Sequence, residues 1–335
     1  MPKKKPSPLI KLHKLPDVQF DAHAWVDYIE LMCLLNPDQE VSKNDVSERI
    51  KKGKDLGEGT VDDVAEEEAD TDMSVPEMSD KELLRVEDLF SHLRYREDAF
   101  GRGYPFRLSN DGDTLFVRKP MTLRQKLYIS LLLSANIAYL TRGASKLTSS
   151  FEIISSVALK ELLPESAQVH VFGSNSARRY SRYQGNVYAK IKKLAEDLNE
   201  VLLLEEGDLP PASSGDEGLD LVGWVPWSDS APGMLLVFGQ CACTKEDWVS
   251  KQHSSSAQAW SGKIRFTARP SNIAFIPVCF RKPDGAWHKR GDIHESIVVD
   301  RLRLLHLLRD KIEVFKKQPS FEIVEEAIKQ REAIY

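Results

Sequence analysis

Two polar side chains interrupt otherwise apolar segments of this chain. The stretch from Gly215 to Trp248 reads GDEGLDLVGWVPW, a short loop, and then GMLLVFGQCACTKEDW, which predicts two adjacent β-strands. Asp220 opens the first strand, and Gln240 closes the second. An isolated polar group inside a core is costly unless it is paired or bound to a metal. The two residues therefore predict a site where these strands meet.

The same stretch carries the motif of a known superfamily. An acidic GDxGxD turn into a strand, followed by an apolar strand ending in Glu/Gln-x-Lys, resembles the PD-(D/E)XK nucleases, and most of all the Mrr-like restriction enzymes, which accept Gln as the second acid. The resemblance covers about residues 180–282. It implies that Asp220 and Gln240 are metal ligands, together with the backbone carbonyl of Cys241. The family's lysine position is Ala242 here.

The resemblance also implies a cofactor and a reaction. Mg²⁺ or Mn²⁺ prefers oxygen ligands, polarises a phosphate and lowers the pKa of an attacking water. Asp216 and Glu217 stand close enough to bind such an ion through water. We expect a metal-dependent DNA endonuclease, acting as a bacterial restriction or anti-phage defence effector. Taken alone, the segment from Asp216 to Asp220 is equally typical of an ordinary acidic β-turn.

The missing lysine opens an alternative. That lysine orients water and stabilises developing negative charge in the family, and Ala242 does neither. Lys245 and Lys263 are the candidates for a migrated lysine, although either one can equally be an ordinary surface residue. If neither lysine takes the role of the family's lysine, the chain is a catalytically inactive nuclease-like fold that binds nucleic acid or a protein.

A basic segment just before these strands suggests DNA contacts. The sequence ARRYSRY is followed by a lysine-rich helix, and arginine binds phosphate through two parallel hydrogen bonds while tyrosine stacks on bases. The candidates for DNA binding are Arg178, Arg179, Arg182, Lys190 and Lys193. A solvated basic surface explains the same residues. A protein partner or a homodimer is compatible with the sequence as well.

Charge and composition bound the remaining possibilities. The formal net charge is −5, yet residues 55–82 contain twelve acids and one lysine. This run predicts a disordered acidic loop at about 52–80, or a mimic of nucleic acid that occupies a basic groove. We find no long apolar run, secretory signal, GxSxG or P-loop, so we expect a cytoplasmic protein without a membrane span.

The four cysteines are too few and too scattered for a disulfide framework. Cys241 and Cys243 alternate onto one strand face, and with Cys279 and His288 they could hold zinc. Small buried thiols are the simpler interpretation.

The expected fold is α/β, a restriction-endonuclease-like mixed sheet flanked by helices, with a mostly helical N-terminal region. Three ranges are predicted, namely a helical region over 1–165, the nuclease core over 166–290, and C-terminal helices over 291–335 that pack on the core. Periodicity and turn signals predict the following elements: helices over 22–36, 185–204 and 294–317, strands over 168–173 and 272–280, a hairpin over 106–117, a helix that begins with a Ser79/Glu82 capping box, and a last helix capped by Ser320.

Overall fold

The computed structural model describes residues 7–16, 22–55, 75–173, 181–209, 215–243 and 248–331. Within these ranges the side chains of 53–55 and 75–82 are not described. The chain is mixed α/β, as expected. The helices are α1 Ala22–Leu35, α2 Lys43–Asp55, α3 Val75–Phe100, α4 Leu123–Ala135, α5 Ala144–Leu162, α6 Val187–Asp197, α7 Trp248–Lys251, α8 Ala257–Trp260, α9 Arg301–Leu307 and α10 Pro319–Lys329. The strands are β1 Glu40–Ser42, β2 Phe106–Leu108, β3 Thr114–Val117, β4 Gln168–Val171, β5 Val201–Leu202, β6 Leu221–Val225, β7 Leu235–Cys241, β8 Ile264–Arg265, β9 Ser271–Phe275 and β10 Ile297–Val299.

A five-stranded mixed sheet carries the candidate residues. Its strand order is β10-β9-β7-β6-β4, with antiparallel pairing among β4, β6 and β7 and parallel pairing among β7, β9 and β10. Leu221 pairs with Gly239. This register continues to Asp220, whose backbone N–H donates to the Gly239 carbonyl at 3.0 Å. Asp220 and Gln240 therefore stand side by side at one end of the central strands.

Apolar layers cover both faces of this sheet. Leu221, Val237 and Ile273 belong to the largest core cluster, which also contains Phe151 and Ile154 of α5. The alternate side chains of the same strands face two smaller clusters. One includes Val222, Phe238 and Trp260, and the other includes Ala242, Trp248 and Ala274. Asp220 and Gln240 lie on this second face, because they continue its two-residue alternation.

The N-terminal residues form helices around a small sheet of order β1-β3-β2. The predicted hairpin over 106–117 is confirmed, with Gly112 in the left-handed region (φ 83°) at its turn. The helix predicted over 22–36 is confirmed as α1. The acidic run falls mostly outside the described residues, since α2 ends at Asp55 and α3 begins at Val75.

Two predicted helices need correction in their extent. Residues 294–317 do not form one helix, because Ile297–Val299 is a strand and α9 begins after Asp300, whose side chain accepts from the Arg303 N–H. The helix predicted over 185–204 is shorter, because β5 follows it and pairs with β8.

The two predicted helix caps are also wrong. The helix assigned to the Ser79/Glu82 capping box starts earlier, at Val75, so Ser79 does not begin it. The last helix is confirmed as α10, but its N-cap is Gln318, and Ser320 is buried inside its first turn.

A buried ion cluster joins the beginning of the chain to its end. Asp27 and Glu30 of α1, Arg96 of α3 and Arg301 of α9 are all at most 2 % exposed. Arg301 Nη2 lies 2.9 Å from Asp27 Oδ2, and Arg96 Nη1 lies 2.6 Å from Asp27 Oδ1 and 2.8 Å from Glu30 Oε1. Two hydroxyls also donate to Glu30, those of Tyr104 and Tyr128. The cluster holds two positive and two negative charges.

Among the described residues, no helix combines the length and the apolar character needed to cross a membrane.

Candidate functional site

Asp220 is held in place by its backbone on both sides. Its carbonyl accepts hydrogen bonds from the N–H groups of Phe172 at 2.7 Å and Gly173 at 3.1 Å, and its own N–H donates to Gly239. The residue is only 6 % exposed. Its carboxylate therefore has a fixed position at the end of the sheet.

The sequence-predicted pair is in direct contact. Gln240 Nε2 donates to Asp220 Oδ2 at 2.6 Å, and the Cys241 N–H donates to the same oxygen at 2.7 Å. The other amide atom of the pair, Gln240 Oε1, is buried and has no hydrogen-bond partner among the described residues. Buried polar atoms nearly always have a hydrogen-bond or ion partner. A bound cation or water molecule would supply that partner to Gln240 Oε1.

Burial dominates the electrostatics of Asp220. It raises the pKa of the carboxyl to about 8, because the charged form loses its hydration. The Cys241 N–H opposes this shift, the negative charges of Glu152 and Asp216 add to it, and the positive charge of Lys251 opposes it. Without a cation, burial favours the protonated carboxyl. A divalent ion would favour its ionised form.

A second carboxylate approaches Asp220 across Gly173. A β-carbon placed on Gly173 would lie 2.8 Å from Asp220 Oδ1 and 3.5 Å from Asp216 Oδ2, so only glycine leaves this space open. Asp216 is fixed by a turn, in which its Oδ1 accepts from the Gly218 N–H at 2.9 Å. The two acids thus converge on one point.

Whether this donor set suits a hard divalent cation can be judged from its atoms. The described residues contain no group of three or more His, Cys, Asp or Glu side chains arranged around a common metal position. The carboxylates of Asp216 and Asp220 approach each other beside Gly173, Gln240 next to them carries an unpartnered carboxamide oxygen, and oxygen is the ligand type that Mg²⁺ and Mn²⁺ prefer. The fit is therefore that of a hard cation that keeps several waters, rather than of zinc.

The predicted zinc alternative receives no support. Within the described ranges all four cysteines are free thiols, and Cys241, Cys243 and Cys279 have pKa values raised by burial. The proposed set of Cys241, Cys243, Cys279 and His288 does not assemble, because the described residues hold no group of three or more His, Cys, Asp or Glu side chains around a common metal position.

Two other predicted residues, Glu217 and Lys263, contact each other, and no hydrogen bond joins them to the pair among the described residues. Glu217 has a left-handed backbone conformation (φ 51°), and its Oε2 lies 3.6 Å from the Lys263 Nζ. Lys263 also donates to the Ala259 carbonyl and covers the Trp260 ring. Lys263 is thus engaged with Glu217 and with its own segment. Lys245 lies outside the described residues.

The sequence missed a different lysine, Lys251. It ends α7, the short helix that follows β7, and its charge lowers the pKa of Asp220. Two neighbours fix this helix. Trp248 is 2 % exposed, and Gln252 is fully buried, where its Oε1 accepts from the His294 N–H at 3.0 Å. No motif spacing points to Lys251, because eleven positions separate it from Gln240.

Two of the five predicted DNA-binding residues, Arg182 and Lys193, are bonded to an acid of the same chain. Arg182 Nη2 lies 2.6 Å from Asp197 Oδ1, and Lys193 Nζ lies 2.7 Å from the same oxygen. Tyr183 is buried and donates to Asp197, so it cannot stack on a base. Arg178 and Arg179 lie outside the described residues.

Lys190 faces the site rather than solvent. It is 5 % exposed, and its side chain belongs to the buried face of α6 together with Val187 and Ile191. Burial lowers its pKa, and the charge of Asp216 opposes that shift. Lys190 and Lys251 thus supply positive charge near the two carboxylates.

Comparison with protein-family models, with curated proteins and with solved structures finds no match.

Proposed function

We propose that the chain is a metal-dependent nuclease whose centre is the Asp220–Gln240 pair. The observation that carries this proposal is the contact of a buried carboxylate with a carboxamide whose oxygen has no partner among the described residues. A restriction-endonuclease-like arrangement of the sheet, a role in restriction or anti-phage defence and a cytoplasmic location belong to the same proposal, and they rest on the resemblance of the motif alone.

In this proposal Asp220 and Gln240 hold Mg²⁺ or Mn²⁺ through side-chain oxygens, and Asp216 does so through water. When bound, the ion polarises the phosphodiester and acidifies the attacking water. The strand register keeps the two ligands adjacent, and Gly173 leaves room beside Asp220. Burial excludes bulk water, so each charge acts more strongly than it would in solvent.

Lys251 takes the role that Ala242 cannot perform. Ala242 is 2 % exposed within an apolar cluster and offers no charge. The ammonium of Lys251 acts on Asp220 from the rigid α7, where it can stabilise negative charge that develops on the phosphate.

Nicking of supercoiled plasmid by the full chain tests the proposal. We expect cleavage with Mg²⁺ or Mn²⁺, none with EDTA, and a loss of at least about a hundredfold in Asp220→Asn and Lys251→Ala. Lys263→Ala is the matched control and should cleave like the wild type, because Lys263 is engaged elsewhere.

Two outcomes would count against specific parts of this proposal. Nicking that persists in Asp220→Asn excludes the site itself. Nicking that persists in Lys251→Ala, but is lost in Lys263→Ala, returns the role to Lys263.

The alternative function is a catalytically inactive nuclease-like fold that binds nucleic acid or a protein. It is favoured by the buried Ala242 and by the raised pKa of Asp220, which keeps the carboxyl neutral without a cation. It predicts no nicking with any divalent ion. It also predicts that retention of DNA, or of a protein partner or second copy, is unchanged in Asp220→Asn.

A further inference from the structure

A cleft of about 490 Å³ lies away from the Asp220–Gln240 pair. It is bounded by the ends of α3 and α5, the start of α4, strand β10 and helix α9. Its lining is mainly apolar, with three basic residues and no acid. Volumes of this size are typical of sites for small organic ligands.

The apolar part of the cleft is open to solvent. Leu162 is 44 % exposed and Ile297 is 49 % exposed, and both line the cleft. Ile297 belongs to β10, the edge strand of the five-stranded sheet. Large apolar side chains gathered in a concave surface favour an apolar ligand over water.

The two arginines of the cleft have no carboxylate partner in the part of the chain that the structure describes. Arg124 Nη2 donates to the Leu305 carbonyl at a long 3.4 Å, and its Nε is buried without a hydrogen-bond partner among the described residues. Arg303 Nη1 donates to the Val298 carbonyl at 2.6 Å, and its guanidinium covers the Trp287 ring.

The acid nearest in sequence to Arg303 is already engaged. Asp300 binds Arg281 through two hydrogen bonds, at 2.9 and 3.2 Å. Other arginines of the fold each bind a carboxylate, namely Arg96, Arg118, Arg182, Arg281 and Arg301. Arg124 and Arg303 therefore retain donors that a negatively charged group would satisfy.

We propose that this cleft binds a small amphiphilic anion, a carboxylate or a phosphate monoester attached to an apolar chain or ring. The apolar body lies against Leu162, Ile297 and Leu302. The anionic group lies between Arg124 and Arg303, with His306 at the rim. A guanidinium suits both headgroups, because its planar donors match two oxygens at once.

Calorimetric titration of the full chain tests this site. The probes are decanoate and decyl phosphate below their micellar concentrations, with decanol and decyltrimethylammonium as the uncharged and cationic probes of the same chain length. We expect one anion per chain, bound at least about tenfold more tightly than the other two probes. The tighter of the two anions identifies the headgroup, and binding of either supports the site.

Variants separate the two halves of the site. Arg303→Gln and Arg124→Gln should each weaken anion binding by about tenfold or more, and Ile297→Trp should block the apolar body. Arg309→Gln removes the same charge from an exposed arginine outside the cleft and should bind like the wild type. Circular dichroism checks that each variant is folded, and Arg303, which is exposed, is the variant least at risk.

The proposal is overturned by any of three results. Neither anion binds, or the cationic probe binds as tightly as the anions, or both arginine variants and Ile297→Trp bind the anions like Arg309→Gln.

Discussion

The molecule buries acids in two places and treats them differently. In the buried ion cluster, Asp27 and Glu30 are bonded directly to Arg96 and Arg301. At the other place, the donors to the Asp220 carboxylate among the described residues are the neutral Gln240 Nε2 and Cys241 N–H, with Lys251 acting through charge. The first cluster is balanced within itself, and the second is not.

This difference distinguishes a structural cluster from a binding site. A balanced and fully hydrogen-bonded cluster offers no unsatisfied atom to a ligand. An acid with a raised pKa beside an orphaned oxygen is unfavourable by itself, and a cation relieves it. The burial of an acid therefore does not by itself distinguish a structural role from a binding role, and the partners of the acid do.

Removing a cation from the balanced cluster should have the largest effect. Arg301→Met leaves Asp27 and Glu30 with a single arginine in a dry interior, and we expect a loss of about 3–5 kcal/mol in the free energy of unfolding. Urea denaturation measures it. Arg309→Met, an exposed arginine, is the control and should change stability by less than about 0.5 kcal/mol. A loss below about 1 kcal/mol for Arg301→Met would show that the cluster is not truly dry.

In the absence of metal, the wild type and Asp220→Asn should differ in how their free energy of unfolding depends on pH. The pKa of Asp220 is raised by folding, so the folded state holds a proton that the unfolded state releases above about pH 4. Stability is therefore fully present at low pH and is lost as the pH rises toward about 8. Between pH 5 and 7 the wild type should lose up to about 2.7 kcal/mol relative to Asp220→Asn.

Urea denaturation in EDTA buffers at these two pH values measures that difference. Mg²⁺ added at pH 7 should restore the wild type and leave Asp220→Asn unchanged. Parallel pH profiles for the two proteins would contradict this prediction and would mean that Asp220 is ionised in the metal-free folded state.

The smallest effect is expected at Gln240. Gln240→Met keeps the volume and removes both the hydrogen bond to Asp220 and the orphaned oxygen, so we expect a change of about 1 kcal/mol or less in the free energy of unfolding. The same variant should abolish stabilisation by Mg²⁺ in a thermal-shift measurement. If Gln240→Met lowered the free energy of unfolding as much as Arg301→Met does, the Asp220 site would depend on its partners as strongly as the buried ion cluster, and the proposed difference between them would be wrong.

The sequence predicted what depends on local alternation. The two-residue period of the strands set Asp220 and Gln240 on a common face, and the register Leu221 to Gly239 brings them together. The apolar spacing of α1 and the turn at Gly112 were readable for the same reason, since each depends on a few neighbouring residues.

Contacts between distant residues could not be predicted. Asp27 and Glu30 are ordinary polar positions of a helix until Arg301 arrives from 274 residues away. Strand β10 was missed because its three residues are stabilised by pairing with β9 rather than by their own pattern. Lys251 acts on Asp220 through the packing of α7, which no spacing along the chain reveals.

The link between Asp27 and Arg301 has a consequence for how the protein is made. During synthesis on a ribosome, α1 emerges long before α9 exists, and although Arg96 supplies one counter-charge early, the cluster lacks its second positive charge until Arg301 is translated. The first helices therefore wait, loosely associated, for the last part of the chain. A nascent polypeptide halted before residue 301 should stay sensitive to protease throughout its amino-terminal half, and the release of the finished chain should close it.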